Sequence, residues 1–276
     1  CSLTVALPVL TCCGVETSVL PTAVLSTHTG GFTGFTYRDL TEDMLPMAEH
    51  WKSIGLKFQA LYSGFLGSVG QIGIVEQIFD WFREKETLIL VDPVMGDGGK
   101  LYQTYTQEMA DGMARLCRKA DIVVPNMTEA CHLLGRPYNP GPYTRQEIRE
   151  ILESLCALGP KMAVLTGVWV KEGTLGTACY DSSIGEAHLY LTDRIEGFYH
   201  GTGDLFASAL LGALLNGASL KDACEVATEY TWRTIETTFE KSKDHRFGPK
   251  FECHLPWLAS KMEECRKSIA NKTGNL

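Results

Sequence analysis

The chain has 276 residues, 45% of them hydrophobic and 21% charged, and a formal net charge of −8. That balance suits one large soluble domain over residues 1–276 and argues against nucleic acid or an anionic membrane surface as the main partner. It leaves a nucleotide open, because a single phosphate group needs only a local nest of N–H donors and a cation.

The opening "CSLTVALPVLTCCG" is apolar, lacks a charged leader and ends at Gly14, which favours a helix stop over a signal sequence. With no Met in front, the expectation is that the chain starts inside an element and that residues precede it. The ten cysteines are scattered from Cys1 to Cys265 with no C-x-x-C, so neither zinc spacing nor a redox motif is present. They predict small buried hydrophobes in a reducing compartment, the cytosol. No run of about 18 apolar residues occurs, so no membrane span is expected.

Further along, short apolar runs alternate with amphipathic ones. The stretches 18–26, 58–63, 87–92, 121–126 and 162–167 are predicted as buried strands, each ending at a polar or glycine-bearing turn. Helical patterns fall at 42–54, 69–84, 105–119, 128–134 and 145–158; Thr144 and Glu147 form a capping box for the last. "TLGTACYD" and "EAHLYLTD" alternate like a hairpin at a sheet edge, with "SSIG" between them. A helical C-terminal third follows at 203–216, 219–240 and 255–270, with Trp232, Tyr230 and Phe239 at core spacing. The fold class expected is α/β: a mainly parallel, doubly wound sheet with helices on both faces.

In such a sheet ligands bind beyond the carboxyl ends of the strands. The turns there are 26–31, 64–65, 92–99, 126–129, 166–167 and 201–204, and "STHTGGFTGF" and "DPVMGDGGK" are too polar and glycine-rich for simple connections. In "HGTGDLFASALLGALL", Gly201, Thr202 and Gly203 can aim backbone N–H groups at one point at a helix start, where the dipole favours an anion. Asp204 beside them is either a first-turn acid or a general base toward a hydroxyl whose phosphoryl donor sits in the nest. Asp92, Asp97 and Glu129 are hard oxygen ligands that suit Mg²⁺; the plainer alternatives are a turn aspartate before proline and a first-turn helix acid. His28 in "STHTGG" is expected to be a structural hydrogen-bonder, and Thr29 a ligand contact. Gly96, Gly98 and Gly99 suggest a mobile flap.

In order along the chain, "LPTAVLSTHTGGF", "VDPVMGDGGKLY", "VVPNMTEA", "AVLTG" and "GTGDLFASALLGA" resemble the pyridoxal kinases, in the vitamin-kinase branch of the ribokinase-like family. The resemblance covers nearly the whole chain. It implies ATP-dependent phosphorylation of the 5′-hydroxymethyl group of vitamin B6, in a homodimer, with Mg²⁺ and often K⁺. It implies Asp204 as the base and Gly201, Thr202 and Gly203 as the anion hole. Thr29 and Phe65 would meet the pyridine substrate. Asn126, Glu129, Thr166, Gly167 and Thr202 would line the ATP side, and Asp92, Asp97 and Glu129 would place the cations. The family's first strand, with a loop carrying a Ser against the pyridine, is expected to precede Cys1.

The runner-up on the same scaffold is a hydroxymethylpyrimidine (phosphate) kinase; those relatives commonly carry Cys where this chain has Asp204. A vitamin- or nucleotide-binding protein without turnover is the alternative of another class. A nicotinamide oxidoreductase would need an early glycine fingerprint that is absent.

Overall fold

Alternation of inward-facing residues along four short strands sets the architecture. A computed structural model describes residues 2–28, 31–103 and 105–273. Its main sheet takes β3 (Ala60–Ser63), β4 (Leu88–Val91), β7 (Ile122–Val123) and β8 (Met162–Val168) in parallel, then β9 (Thr174–Asp181) and β10 (Glu186–Asp193) antiparallel, in the order β10-β9-β8-β7-β4-β3. On β4, Ile89 and Val91 enter one core while Leu90 enters the other; Val123 and Ile122 divide in the same way on β7. A period of two thus feeds two apolar layers from one sheet.

The first layer is covered by α3 (Val69–Phe82), α4 (Gln107–Arg118), α5 (Met127–Leu134) and α6 (Arg145–Cys156). The second is covered by α1 (Leu3–Cys12), α7 (Thr202–Leu215), α8 (Leu220–Lys241) and α9 (Leu255–Thr273). Helix α7 is buried continuously from Leu205 to Ala213, which explains a sequence of Ala and Leu with no polar face. At Gly212 it passes so close to α1 that a Cβ would sit 2.4 Å from Cys13 Sγ. Among the described residues no helix is long and apolar enough to cross a membrane.

Local signals set most helix starts. Side chains of Ser68, Thr106, Asn126, Thr144 and Ser219 cap α3, α4, α5, α6 and α8. The hairpin expected at the sheet edge is β9–β10, with Ala178 opposite Leu189.

Two expectations are corrected. The run 18–26 is not a strand of the buried sheet: only β1 (Ala23–Leu25) forms, and it pairs antiparallel with β2 (Tyr37–Asp39) in a separate two-stranded sheet. Pro21 interrupts the run, and Val24 is 58% exposed. Helix α2 (Thr41–Ser53) follows this hairpin. Phe239 is not core but 53% exposed, whereas Tyr230 is fully buried; the aromatic spacing along α8 drifts around the helix, and Phe239 falls on its outer side.

Candidate active site

The parallel strands end on one side, and their turns meet the start of α7. A Cβ at Gly64, just after β3, would stand 4.0 Å from Asp204 Oδ1, and one at Gly203 would stand 3.7 Å from Asp92 Oδ2. The amide of Asp92, just after β4, donates to the Ser63 carbonyl at 2.9 Å. Asn126 after β7 pairs with Thr166 on β8 through an isolated parallel bridge, and its side-chain amide donates to the Gly96 carbonyl at 2.8 Å. The β5–β6 hairpin (Gly96–Asp97 with Lys100–Leu101) is tied to α5 by Gly99 N–H donating to Thr128 Oγ1 at 2.9 Å. One cleft therefore gathers Asp92, Glu129, Asn126, Gly96, Gly203 and Asp204.

Helix α7 starts differently from the other helices of the sheet layers that carry caps. Gly201 adopts φ +89°, a left-handed conformation suited to glycine, and no side chain caps the helix. Its first N–H groups are left for another acceptor. Thr202 Oγ1 donates to the Tyr199 carbonyl at 3.1 Å, and Ser208 Oγ donates to the Asp204 carbonyl at 2.6 Å, both steadying this turn. Asp204 is half-buried, and its Oδ2 accepts from the Ser2 amide at 3.0 Å. Burial pushes its pKa up, while the hydrogen bonds from Ser2 act in the opposite direction.

Asp92 and Glu129 are almost wholly buried, 6% and 3% exposed. Every influence on Asp92 raises its pKa: burial first, then the charges of Glu129 and Asp204. Glu129 is pushed up to about 8, chiefly by burial, against hydrogen bonds from the amides of Asn126, Met95 and Gly96. Its Oε2 accepts from Asn126 N–H at 2.8 Å and its Oε1 from Met95 N–H at 3.1 Å. Asn126 Oδ1 in turn accepts from Glu129 N–H at 3.0 Å. The pair is a capping box, so the first-turn role of Glu129 holds alongside its place in the cleft.

Asp97 is different: it is exposed, and its Oδ1 accepts from Gly98 N–H at 2.7 Å. Its charge reaches Glu129 and Tyr102. Among the described residues no group of three His, Cys, Asp or Glu side chains is arranged as a ready metal-binding cluster. Phe65, 41% exposed, borders Asp204 through Gly64. Thr166 lies at a bulge of β8, and Gly167 beside it is exposed with φ +69°. Thr29 lies outside the described residues. His28 is a structural hydrogen-bonder, its Nε2 bonded to the Arg246 carbonyl.

Three neighbours of the cleft escaped the sequence. The Tyr62 phenol is enclosed beside Asp204 and Asp92 and meets Ser208; burial and the two carboxylates raise its pKa. Burial and the charges of Glu129, Asp97, Asp92 and Asp204 raise that of Tyr102. The Ser63 hydroxyl is buried with no hydrogen-bond partner among the described residues. The only signal for Ser63 and Tyr62 was their place at the end of a strand.

The sequence matches the phosphomethylpyrimidine kinase family over residues 10–249. A Bacteroides thetaiotaomicron protein provisionally named phosphomethylpyrimidine kinase, solved with pyridoxal, is 37% identical with a TM-score of 0.88, covering 93% of this chain and 90% of that one. Pyridoxal kinase from Lactobacillus plantarum is 32% identical with a TM-score of 0.86, over 95% of this chain and 93% of that one. A pyridoxine/pyridoxal/pyridoxamine kinase from Bordetella avium is 27% identical over 251 residues, 85% of this chain and 79% of that one. With an uncapped helix start, a carboxylate beside it and this extent of matching, the chain belongs to the phosphomethylpyrimidine kinase family of ribokinase-like kinases.

Proposed function

We propose that this protein transfers the γ-phosphoryl group of ATP to the 5′-hydroxymethyl group of vitamin B6, giving the 5′-phosphate and ADP. The observation that carries the proposal is Asp204, half-buried in the first turn of the uncapped helix α7, in a chain 37% identical to a protein solved with pyridoxal. In this reading Asp204 takes the proton of the acceptor hydroxyl as its oxygen bonds to the γ-phosphorus and the bond to ADP breaks. The N–H groups of Gly201, Thr202 and Gly203 hold the charge of the transferring group. A carboxylate whose pKa is raised by burial is a stronger base once ionised.

Thr29 and Phe65 are assigned to the substrate side, and Asn126, Glu129, Thr166, Gly167 and Thr202 to the ATP side. Asn126 acts through the capping box that sets Glu129 and through its bond to Gly96. Asp92 and Glu129 fit a divalent cation: they are buried, and carboxylates are the charged neighbours that raise Asp92. Mg²⁺ that keeps several waters and phosphate oxygens needs only one or two carboxylates, which Asp92 and Glu129 would supply. There Mg²⁺ would neutralise phosphate charge, and exposed Asp97 is assigned to the same cation side. K⁺ enters from the resemblance and is tested by exchange for Na⁺ in the assay.

A cytoplasmic setting and a homodimer belong to the same proposal. Nine described cysteines are free, in keeping with a reducing compartment. Val24 and Tyr37 expose apolar surface on the β1–β2 hairpin, where a second copy could pack; sedimentation tests the dimer.

The family's own description favours a second reading, a hydroxymethylpyrimidine (phosphate) kinase. ATP consumption measured in parallel with pyridoxal, pyridoxine, pyridoxamine and hydroxymethylpyrimidine separates the two. Turnover confined to hydroxymethylpyrimidine would refute the vitamin B6 assignment.

A further inference from the structure

Two histidines outside the chemistry hold together three segments that meet in front of α7. His200 immediately precedes Gly201, and its ring lies 4.8 Å from that of His28, in the segment after β1. Phe198 packs edge-on against His200 at 4.7 Å, and His28 packs edge-on against Phe32 at 5.0 Å. A third segment closes the group from behind: the Arg246 carbonyl is bonded to His28 Nε2, and the Arg246 guanidinium covers Phe32 at 5.3 Å. Arg246 Nη1 also donates to the Gly31 carbonyl at 3.3 Å.

We propose that the His28–His200 contact is a positioning latch that fastens His28, and Phe32 packed against it, to the residue leading into the anion nest, and so sets affinity for the phosphoryl acceptor. This deepens the kinase reading and rests on it. Neither ring belongs to the catalytic or binding groups assigned above; the effect passes through the backbone of Gly201 on one side and through His28 and Phe32 on the other.

The latch has a direction in pH. A proton added to His200 puts a charge on a partly buried ring packed against the rings of His28 and Phe198, which weakens the packed arrangement. Around them, Arg246 is held charged by Asp244, and Asp244 is held at about 2 by Arg246, so neither changes above pH 5. His245 stacks on Tyr199 at 4.7 Å, one residue from His200, and Asp204 follows in the first turn of α7. Burial, and then His28, lowers the pKa of His200. A lowered histidine favours the packed state at high pH and loses that contribution as pH falls through its folded value.

The test uses the full chain with His200→Ala, which removes the ring, and His200→Phe, which keeps a ring that cannot be charged. Amide exchange over residues 24–37, corrected for intrinsic rates, is read without substrate at pH 5.5 and 7.5. The wild type is expected to lose protection several-fold at pH 5.5, His200→Ala to lack it at both pH values, and His200→Phe to keep it at both. With turnover as the second readout, His200→Ala should raise acceptor KM several-fold and change kcat less, and the rise in KM on acidification should be absent in His200→Phe. Equal exchange in wild type and His200→Ala, or the same pH dependence in His200→Phe as in wild type, would overturn the latch. No turnover with any vitamin B6 form would instead refute the kinase reading, and the exchange comparison would still decide the latch.

Discussion

Replacing Asp204 by Asn removes a charge and a base from one position with little change in shape. The structure assigns opposite signs to the effects on stability and activity. Asp204 is half-buried with its pKa raised, chiefly by burial. For a group raised in the folded state, the stability it contributes is fully present below its unfolded pKa and lost as pH rises through the folded value. At neutral pH the ionised carboxylate is therefore a net cost. Asn relieves that cost and can still accept from the Ser2 amide, which now reaches Asp204 Oδ2 at 3.0 Å. A gain of about 1 kcal/mol would raise Tm by roughly 2 °C in a domain of this size. Loss of the general base should lower kcat by about 10²–10⁴-fold, or roughly 3–5 kcal/mol of transition-state stabilisation. Steady-state assays with ATP and pyridoxal, beside calorimetric melting at pH 7.5, read both effects. Near-normal turnover with a Tm several degrees lower would show that Asp204 is a helix-start acid and nothing more.

Glu129→Gln replaces one of two carboxylate oxygens that accept from Asn126 and Met95 with an N–H donor. It should cost about 1–3 kcal/mol in denaturant unfolding and raise the Mg²⁺ needed for half-maximal rate. In the ligand-free protein, Glu129 rises from the ordinary 4.5 to about 8; its contribution is complete below about pH 4.5 and lost as pH rises through about 8, so Tm should fall between pH 6 and 8.5, and a flat Tm would contradict this. Gly201→Ala forces a Cβ onto φ +89°. A loss of about 1–2 kcal/mol is expected, with kcat reduced as the nest distorts; unchanged kcat would remove the nest from the mechanism. Exchange across Gly96–Tyr102 should slow with ATP and Mg²⁺, and no change at saturation would exclude a nucleotide-closed flap.

What could be read from the sequence was mostly local. Thr144 caps its helix as expected, and Ser68 and Ser219 likewise act within their own first turns. The β9–β10 hairpin was equally legible, because alternation and turn lie within twenty residues. Failures came where distant packing decides. Of the apolar run at 18–26 only Ala23–Leu25 forms a strand, and it pairs with Tyr37–Asp39 instead of joining the sheet. The Asn126–Glu129 capping box has the same spacing as Thr144–Glu147 and went unnoticed under a ligand-binding reading. At the site, the glycines and carboxylates were visible as turn residues. The Ser2–Asp204 contact, 202 residues apart, had no sequence signal. Tyr62 and Tyr102 looked like ordinary strand and flap residues until the carboxylates were seen around them.

The opposition between capping and chemistry at Asp204 dissolves once the cleft is considered as a set of charges. Five capped helices satisfy their first N–H groups with their own side chains; α7 begins at a left-handed glycine that offers none. Beside that helix start is Asp92, with Glu129 as its charged neighbour and Asp204 in the first turn itself, all with raised pKa values and burial as the leading cause. Donors without an acceptor and acids without a cation are each unfavourable alone. Under the proposed function a metal-bound polyphosphate would answer both at once, phosphate charge at the N–H groups and cation charge at the acids. On that reading ligand binding and folding would draw on the same groups, and the nucleotide–metal complex would raise the stability of the folded state. In the proposed reading the mutual repulsion of these acids would be the source of affinity for that complex, and Asp204, whose Oδ1 lies beside Gly64, would be the carboxylate turned to the acceptor.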